Sequence, residues 1–389
     1  MKNNNESIVR VLKFSISVFS ILSIINFIGI ANTSYALFTK DVDSKNSIKF
    51  KTTTHTTPEK GSGAEKIQNI VGKRQYGECS TDEINNTGLA YDCTNDNNLR
   101  YVGKDPNNYV SFNNELWRII GVMNNIEDGS GNLHSQLKLV RNESIGSYIW
   151  DTSISTINGG NGINEWSQAD LMKLLNPGYE SESNGGSLYW NKKSGKCYSG
   201  QNNYTTTCDF SKTGISEYSK SYIDSIVWNT SAFPKAGSYT PQQTYLVERN
   251  NKIGSNSCTT ISCNDSVSRT TSWVGRIGLF YASDYGFATN SNKDERNLCL
   301  SYTIRSWKNS NSLTSKCVIN NWLYNNFRQW TISPFAREAF GVMWIDDYGG
   351  ADYNYNYFTM LVKPSLYLKP NVKITGGTGT QSDPYKLSL

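Results

Sequence analysis

The chain has 389 residues, 18% charged and 12% aromatic, with 24 Tyr and 10 Trp. That composition is globular and excludes a disordered chain, although Asn, Ser, Thr and Gly are plentiful. The net charge is +5, of which Lys2, Arg10 and Lys13 against Glu6 supply +2, leaving +3 with no long Lys/Arg run; this excludes nucleic acid and an anionic membrane surface as partners implied by charge.

Met1–Lys13 carries positive charge, Phe14–Ala31 is apolar, and the following NTSYA places Ser34 and Ala36 at the small-residue positions of a cleavage site. This predicts a secretory signal peptide over 1–36, cut after Ala36. An uncleaved anchor is the alternative, because Phe14–Ala31 is about long enough to span a bilayer. The membrane is expected as a partner only in that case. In SYALFTKDVDSKNSIKFKT, residues Tyr35, Ala36, Phe38, Thr39, Asn46 and Phe50 resemble the export leaders of camelysin-like and biofilm-fibre proteins of Gram-positive bacteria. The resemblance implies export and a surface or matrix location. Residues 37–75 read as a polar Thr/Lys-rich spacer with one strand near Ser47–Lys51, and 76–389 as the extracellular domain.

Strand patterns dominate from Tyr76 onward. NNYVSFNNELWRIIGVMN predicts two strands joined at Asn113-Asn114. SQLKLVRNES, QTYLVER (Gln243–Arg249), WVGRIGLFYASDYG and AFGVMWIDD are further strands. YFTMLVKPSLYLKPNVKIT gives two more, with Pro364 and Pro370 at edge or strand-start positions. NEWSQADLMKLLNPG predicts a helix capped by Ser167 and stopped by Asn176-Pro177-Gly178. SKSYIDSIVWNT spaces Tyr222, Ile223, Ile226 and Val227 as a helix would, and CVINNWLYNNF predicts a short third. The expected fold class is α+β: one sheet-rich domain with few short helices and long disulfide-tied loops.

Eight cysteines in an exported chain point to disulfides. Spacing pairs them locally: Cys79 with Cys93, Cys197 with Cys208, Cys258 with Cys263, and Cys299 with Cys317. Zinc is the poorer alternative, since no Cys-x2-Cys occurs and His55 and His134 are the only histidines.

Several segments carry a wider resemblance: RYVGKDPNNYVSFNNELWRIIGV, YLVER, WVGRIGLFYASDYGFAT, NWLY and VKPSLYLKPNVKITGGTGTQSDPYKL. Together they resemble an uncharacterised exported domain family of low-GC Gram-positive bacteria of the gut. The order of Trp-Arg, Trp-containing helix and terminal Pro-Ser-Leu strand also resembles smaller domains of C-type-lectin-like fold, to which the fold of formylglycine-generating enzymes is related. The resemblance implies that fold and no activity. One departure is Lys363-Pro364 where relatives carry Arg-Pro; lysine cannot reproduce a bidentate arginine contact.

Histidine-dependent nucleophilic catalysis lacks a base: His55 falls in the spacer and His134 in a polar turn. Gly159–Gly162 and Gly376–Gly379 read as flexible turns, because neither opens a helix behind a strand. A glycoside hydrolase needs only paired carboxylates, for which Asp284, Asp346, Asp347 and Asp352 are the candidates. Binding is the leading expectation, with a glycan or a surface protein as partner. Trp344, Tyr348, Tyr353, Tyr355 and Tyr357 could stack on sugar faces, with Asp346, Asp347 and Asp352 as polar neighbours. Strand alternation would put Tyr353, Tyr355 and Tyr357 on one face and Asn354 and Asn356 on the other; that Tyr face could equally pack against the sheet. The aspartates and the Gly349-Gly350 carbonyls could ligate calcium, but no EF-hand register is present, and a charged turn is the expectation. Asp284 and Tyr285, just past an apolar strand, form a second candidate, against the reading that Asp284 only accepts from turn amides. Arg118 reads as a paired strand arginine. No cofactor is expected. The alternatives to a binding role are a subunit of an extracellular fibre and the aspartate-dependent hydrolase.

Overall fold

The computed structural model describes residues 41–42, 48–49, 56–71, 87–152, 162–200, 203–234, 238–249, 269–308 and 312–389. The signal peptide, His55, Cys79, Cys258 and Cys263 lie outside the described residues. Among those described, no helix is long and apolar enough to cross a membrane. The chain divides after Thr54. In the first unit, β1 (Asp41–Val42) pairs antiparallel with β2 (Ile48–Lys49). The second unit, His55–Leu389, takes in the end of the expected spacer. There α1 (Gly63–Val71) buries Ala64 and Ile67 in the main core, with Val71 packed against it. Helical spacing puts those three on one stripe. Ser62 Oγ accepts from the Glu65 amide (3.1 Å) and Glu65 Oε2 from the Gly61 amide (2.6 Å), capping the first turn.

The expected Asn113-Asn114 hairpin is present. Strand β5 (Tyr109–Phe112) turns into β6 (Glu115–Glu127) with both asparagines at φ +60°. Asparagine tolerates that left-handed conformation, and such a turn matches the twist of the strands it joins. β7 (Leu133–Arg141) returns antiparallel to β6. β7 then pairs with β18 (Pro364–Tyr367), and β18 with β13 (Ile277–Leu279). On the other side β5 pairs parallel with β20 (Tyr385–Ser388), which pairs with β19 (Lys373–Gly376). β4 (Leu99–Tyr101) also lies on β6 and carries β3 (Leu89–Tyr91). Gly121 permits this approach, because a Cβ there would collide with the Leu99 carbonyl oxygen. Pro364 starts its strand as expected, but β18 lies inside the sheet.

A second sheet runs β16 (Ala351–Tyr355), β15 (Gly341–Ile345), β14 (Gln329–Pro334), β17 (Met360–Leu361), β8 (Ser147–Tyr148). Two-stranded pairs are β9 (Ser194–Gly200) with β10 (Tyr204–Asp209), and β11 (Ile226–Asn229) with β12 (Ser272–Gly275). The other helices are short: α2 (Asp170–Leu175), α3 (Glu217–Lys220), α4 (Pro241–Glu248), α5 (Ala282–Phe287), α6 (Lys293–Ser301) and α7 (Ser312–Ile319), with 3-10 turns at Trp166–Gln168 and Ile304–Lys308. Strand outweighs helix, 34% to 20%, which makes the class α+β and sheet-rich. The core is built on tryptophan: Trp117, Trp150, Trp166, Trp228, Trp307 and Trp330 are all fully buried.

Five elements differ from expectation. WVGRIGLFYASDYG is not one strand: it divides into β12, β13 and the start of helix α5. Gln243–Arg249 is not a strand; Gln243–Glu248 belongs to α4 and Arg249 follows its end, while Thr240 and Gln243 form a reciprocal capping box and Pro241 fills the first turn. Tyr222–Val227 is not one helix, because α3 ends at Lys220 and Ile226 and Val227 belong to β11. Ser167 is not the cap of α2: Glu165 caps the 3-10 turn, and Ala169 precedes α2 without a side-chain cap. The third helix, α7, ends at Ile319, short of Trp322.

Cys197–Cys208 ties β9 to β10 with Cα atoms 5.8 Å apart, and Cys299–Cys317 ties α6 to α7 at 5.5 Å. Both are pairs expected from spacing. Cys93 is also disulfide-bonded; the 79–93 and 258–263 pairings fall on residues outside those described.

Candidate ligand-binding site

The Trp344–Phe358 segment is the expected hairpin, built around Asp346. Its Oδ1 accepts from the Tyr348 and Gly350 amides, both at 2.9 Å, and its own amide donates to the Gly350 carbonyl (2.9 Å). Gly349 sits at φ +83°, and a Cβ there would run into Val318, so both backbone and space call for glycine. Tyr285, fully buried, donates its hydroxyl to the Gly349 carbonyl at 2.9 Å. It is a peg beneath the turn.

The acidic groups of the turn are each matched by a cation. Asp346 lies 3.6 Å from Lys308 Nζ, Asp352 lies 3.1 Å from Arg305 and 3.5 Å from Lys308, and Asp347 lies 3.4 Å from Arg328. Tyr324 donates to the Asp347 carbonyl, and the Gly349 and Gly350 carbonyls already accept from Tyr285 and Asp346. Each of these oxygen-bearing groups thus already has a protein partner. Among the described residues no cluster of three His, Cys, Asp or Glu side chains could hold a metal.

Register divides the expected aromatic set between two faces. Trp344 is opposite Asp352 and Val342 opposite Asn354, while Met343 is opposite Tyr353 and Gly341 opposite Tyr355. Side chains of directly paired residues share a face, so Trp344 and Asp352 lie on one side and Tyr353 and Tyr355 on the other. Trp344 is buried, with the Arg328 guanidinium over its ring at 5.3 Å. Tyr348, at the turn, is 69% exposed.

Tyr353, Tyr355 and Tyr357 are all half-buried, but they do different things. Tyr353 stacks on Phe335 at 4.0 Å and 23°, beside a small core of Phe233, Phe335 and Met343. Gly341 leaves room for this stack, since its absent side chain would touch both rings. Burial and the Glu338 carboxylate push the Tyr353 hydroxyl up. Tyr355 packs with Phe340 (4.8 Å), Tyr357 (5.5 Å) and Phe358 (6.2 Å), and Tyr357 with Phe358 (5.0 Å). Tyr357 lies past the end of β16, yet its ring rejoins this group. Four partly exposed rings thus meet beside an edge strand. Phe340 and Phe358 were not among the expected site residues. Phe340 enters through the register: its carbonyl accepts from the Asn356 amide, one rung beyond Gly341–Tyr355.

Asn356 does not lie open on the opposite face. It is fully buried, and its carbonyl accepts from the Trp150 and Asp151 amides. Because the Asn356 amide points to β15, the amides of Tyr353 and Tyr355 point out of the sheet edge. Each is taken by the preceding side chain: Asp352 Oδ1 accepts from Tyr353 at 3.0 Å and Asn354 Oδ1 from Tyr355 at 2.8 Å.

Asp284 is not on a loop. It lies in α5, buried, 2.7 Å from Arg100 Nη1 and 2.6 Å from Lys138 Nζ, and it also accepts from the Tyr281 amide at 2.9 Å. Burial alone would push its carboxyl up, but Lys138 and Arg100 outweigh that and hold it at about 2. Arg100 continues to Asp92 at 2.8 Å. Lys138 lies over the Tyr281 ring at 4.1 Å, with Trp228 and Tyr367 each at 5.2 Å, and burial lowers it to about 8. Glu248, also buried, accepts from Ser283 N at 3.0 Å and from the Ser283 hydroxyl, and burial pushes it up to about 7. These charges balance one another inside the core, with no face offered to a ligand.

Arg118 is paired: Nε donates to Asn108 (2.5 Å) and Nη1 to the Tyr109 hydroxyl (2.9 Å), with Asp105 at 3.1 Å. His134 is a half-buried strand residue 3.6 Å from Asp128. Lys363 is buried, and burial lowers it to about 8. No family model matches the chain, nor does any curated protein or solved structure.

Proposed function

We propose that the protein is an exported, disulfide-bonded surface or matrix protein with a non-catalytic binding role, and that it holds a glycan on the aromatic face of the Trp344–Phe358 hairpin. The observation that carries this reading is the group of four partly exposed rings, Phe340, Tyr355, Tyr357 and Phe358, with each ring within 6.4 Å of at least two others. Aromatic rings with polar tips bind amphipathic ligands at small entropic cost, because each has few rotatable bonds. The leader sequence supports export. So do the Cys197–Cys208 and Cys299–Cys317 bonds, which persist in oxidising compartments. The reading includes a C-type-lectin-like architecture, supported by two sheets, short helices and disulfide-tied segments.

A hydrolase would need two carboxylates free to face a sugar, about 5–10 Å apart. Asp346, Asp347 and Asp352 are held by cations and Asp284 is buried, which argues against that chemistry. A fibre subunit needs an open sheet edge, and the capped amides of Tyr353 and Tyr355 argue against the β16 edge serving as one.

The test is titration of glycans onto the wild-type chain and its Tyr355→Ala and Phe358→Ala variants. Both variants are expected to stay folded by circular dichroism at the assay temperature and to lose affinity about tenfold or more, the loss of one to two stacked faces. Unchanged affinity in both would refute the site.

A further inference from the structure

We infer that the cleft between the β5–β6 turn and α3 is a second binding site, and that it takes a saccharide carrying a carboxylate. The cleft encloses about 430 Å³, within the range of ordinary small-ligand sites. It stands on residues separate from the hairpin face, so the two sites can succeed or fail apart.

The cleft is held open by the fold rather than left to chance. Parallel pairing of β5 with β20 sets Ser111 beside Lys386, both exposed. The Asn113 side chain, fixed at the turn, donates to the Gly214 carbonyl (3.1 Å) and accepts from the Ser216 amide (2.8 Å). That docks the segment leading into α3 against the hairpin. Ser216 then caps α3 through the Ser219 amide. Phe112 forms the floor, edge-on to Tyr222 at 6.4 Å.

Tyr218 is the element that points to a ligand. Its ring is 72% exposed, yet its hydroxyl is hydrogen-bonded to that of Tyr222, which is buried. An exposed tyrosine usually loses rotamer freedom on binding; this one is already fixed, which lowers the cost of association. A fixed, exposed ring beside hydroxyl and amide groups suits a pyranose, whose C–H face stacks while its hydroxyls hydrogen-bond. Ser111 and the exposed Asn114 supply such groups.

Charge selects among saccharides. Lys386 lines the cleft, and no ion pair engages its ammonium among the described residues. The only carboxylate on α3, Glu217, is 2.5 Å from Lys220 and does not line the cleft. A uronate carboxylate would find one cation here and no opposing charge.

The test uses the whole chain and two probes, a tetrasaccharide of alternating glucuronate and N-acetylglucosamine and the neutral N-acetylglucosamine tetramer, followed by calorimetry. The acidic probe is expected to bind more tightly, with Tyr218→Ala weakening it about tenfold or more. Lys386→Gln is expected to abolish the preference over the neutral probe, as is raised salt. Tyr218→Phe keeps the ring but releases the tether, so its loss should be smaller than that of Tyr218→Ala. Tyr355→Ala should change nothing here. No binding of the acidic probe at about 10 mM, equal affinity for both probes, or full affinity in Tyr218→Ala would each overturn the proposal. The two substituted side chains are exposed, so equal thermal midpoints are expected and will separate lost binding from lost folding.

Discussion

At the scale of the residue, Asp284 neutralises two buried cations, Arg100 and Lys138. Asp284→Ala leaves Lys138 without its carboxylate and Arg100 with Asp92 alone, in a medium that solvates charge poorly. It is expected to destabilise the chain by about 3–5 kcal/mol, measured by urea unfolding, while glycan binding per folded molecule stays unchanged. Glu248 makes the opposite kind of prediction. Its carboxyl is raised in the fold from 4.5 to about 7, so between those values the folded state holds a proton that the unfolded state has released. Its contribution to stability is therefore full below pH 4.5 and falls as pH rises towards 7. Glu248→Gln should flatten that decline in a series of melts across the window; an identical slope would contradict the assignment. Neither role was legible in the sequence. Asp284 followed an apolar strand, as catalytic loop residues often do. Nothing local says that Arg100 and Lys138, 184 and 146 residues away, close over it.

Among the elements, the hairpins were the most legible. Asn113-Asn114 and the Asp346–Gly350 turn carry their geometry in residues that tolerate positive φ or accept from turn amides. Helix α4 was misread because Tyr245, Leu246 and Val247 have strand-like side chains. The capping signal lay just upstream at Thr240-Pro241 and outweighed them. β11 was misread because Tyr222, Ile223, Ile226 and Val227 fit helical spacing, whereas β12 pairs with Ile226–Asn229 from far along the chain. Alternation along β16 separated Tyr353 and Tyr355 from Trp344 only once the register with β15 was known. That strand gives its own prediction. Replacing Asp352 and Asn354 together by Ala uncovers two outward amides on an edge strand, which is an open template for pairing. Self-association at high concentration, seen by light scattering, is expected for the double variant and not for the wild type. The Cys299–Cys317 bond closes a separation of 18 residues; its removal is expected to cost about 3 kcal/mol, read from unfolding under non-reducing conditions.

For the molecule as a whole, the sheet-rich α+β class and two of the four expected cysteine pairs, Cys197–Cys208 and Cys299–Cys317, followed from the sequence, since abundant aromatics, alternation and cysteine spacing point that way. The proposed binding face was half legible: Tyr355 and Tyr357 stand out in the sequence, while Phe340 and Phe358 join them through tertiary packing. The proposed role is glycan binding at this face, without metal and without cleavage. A glycan array probed with the purified chain, with and without EDTA, tests it most directly when the bound glycans are recovered and weighed. Binding of neutral glycans that survives EDTA, intact glycans, and loss of the neutral-glycan signal in Tyr355→Ala are expected. Binding lost in EDTA, shortened glycans, or no binding in either condition would contradict it.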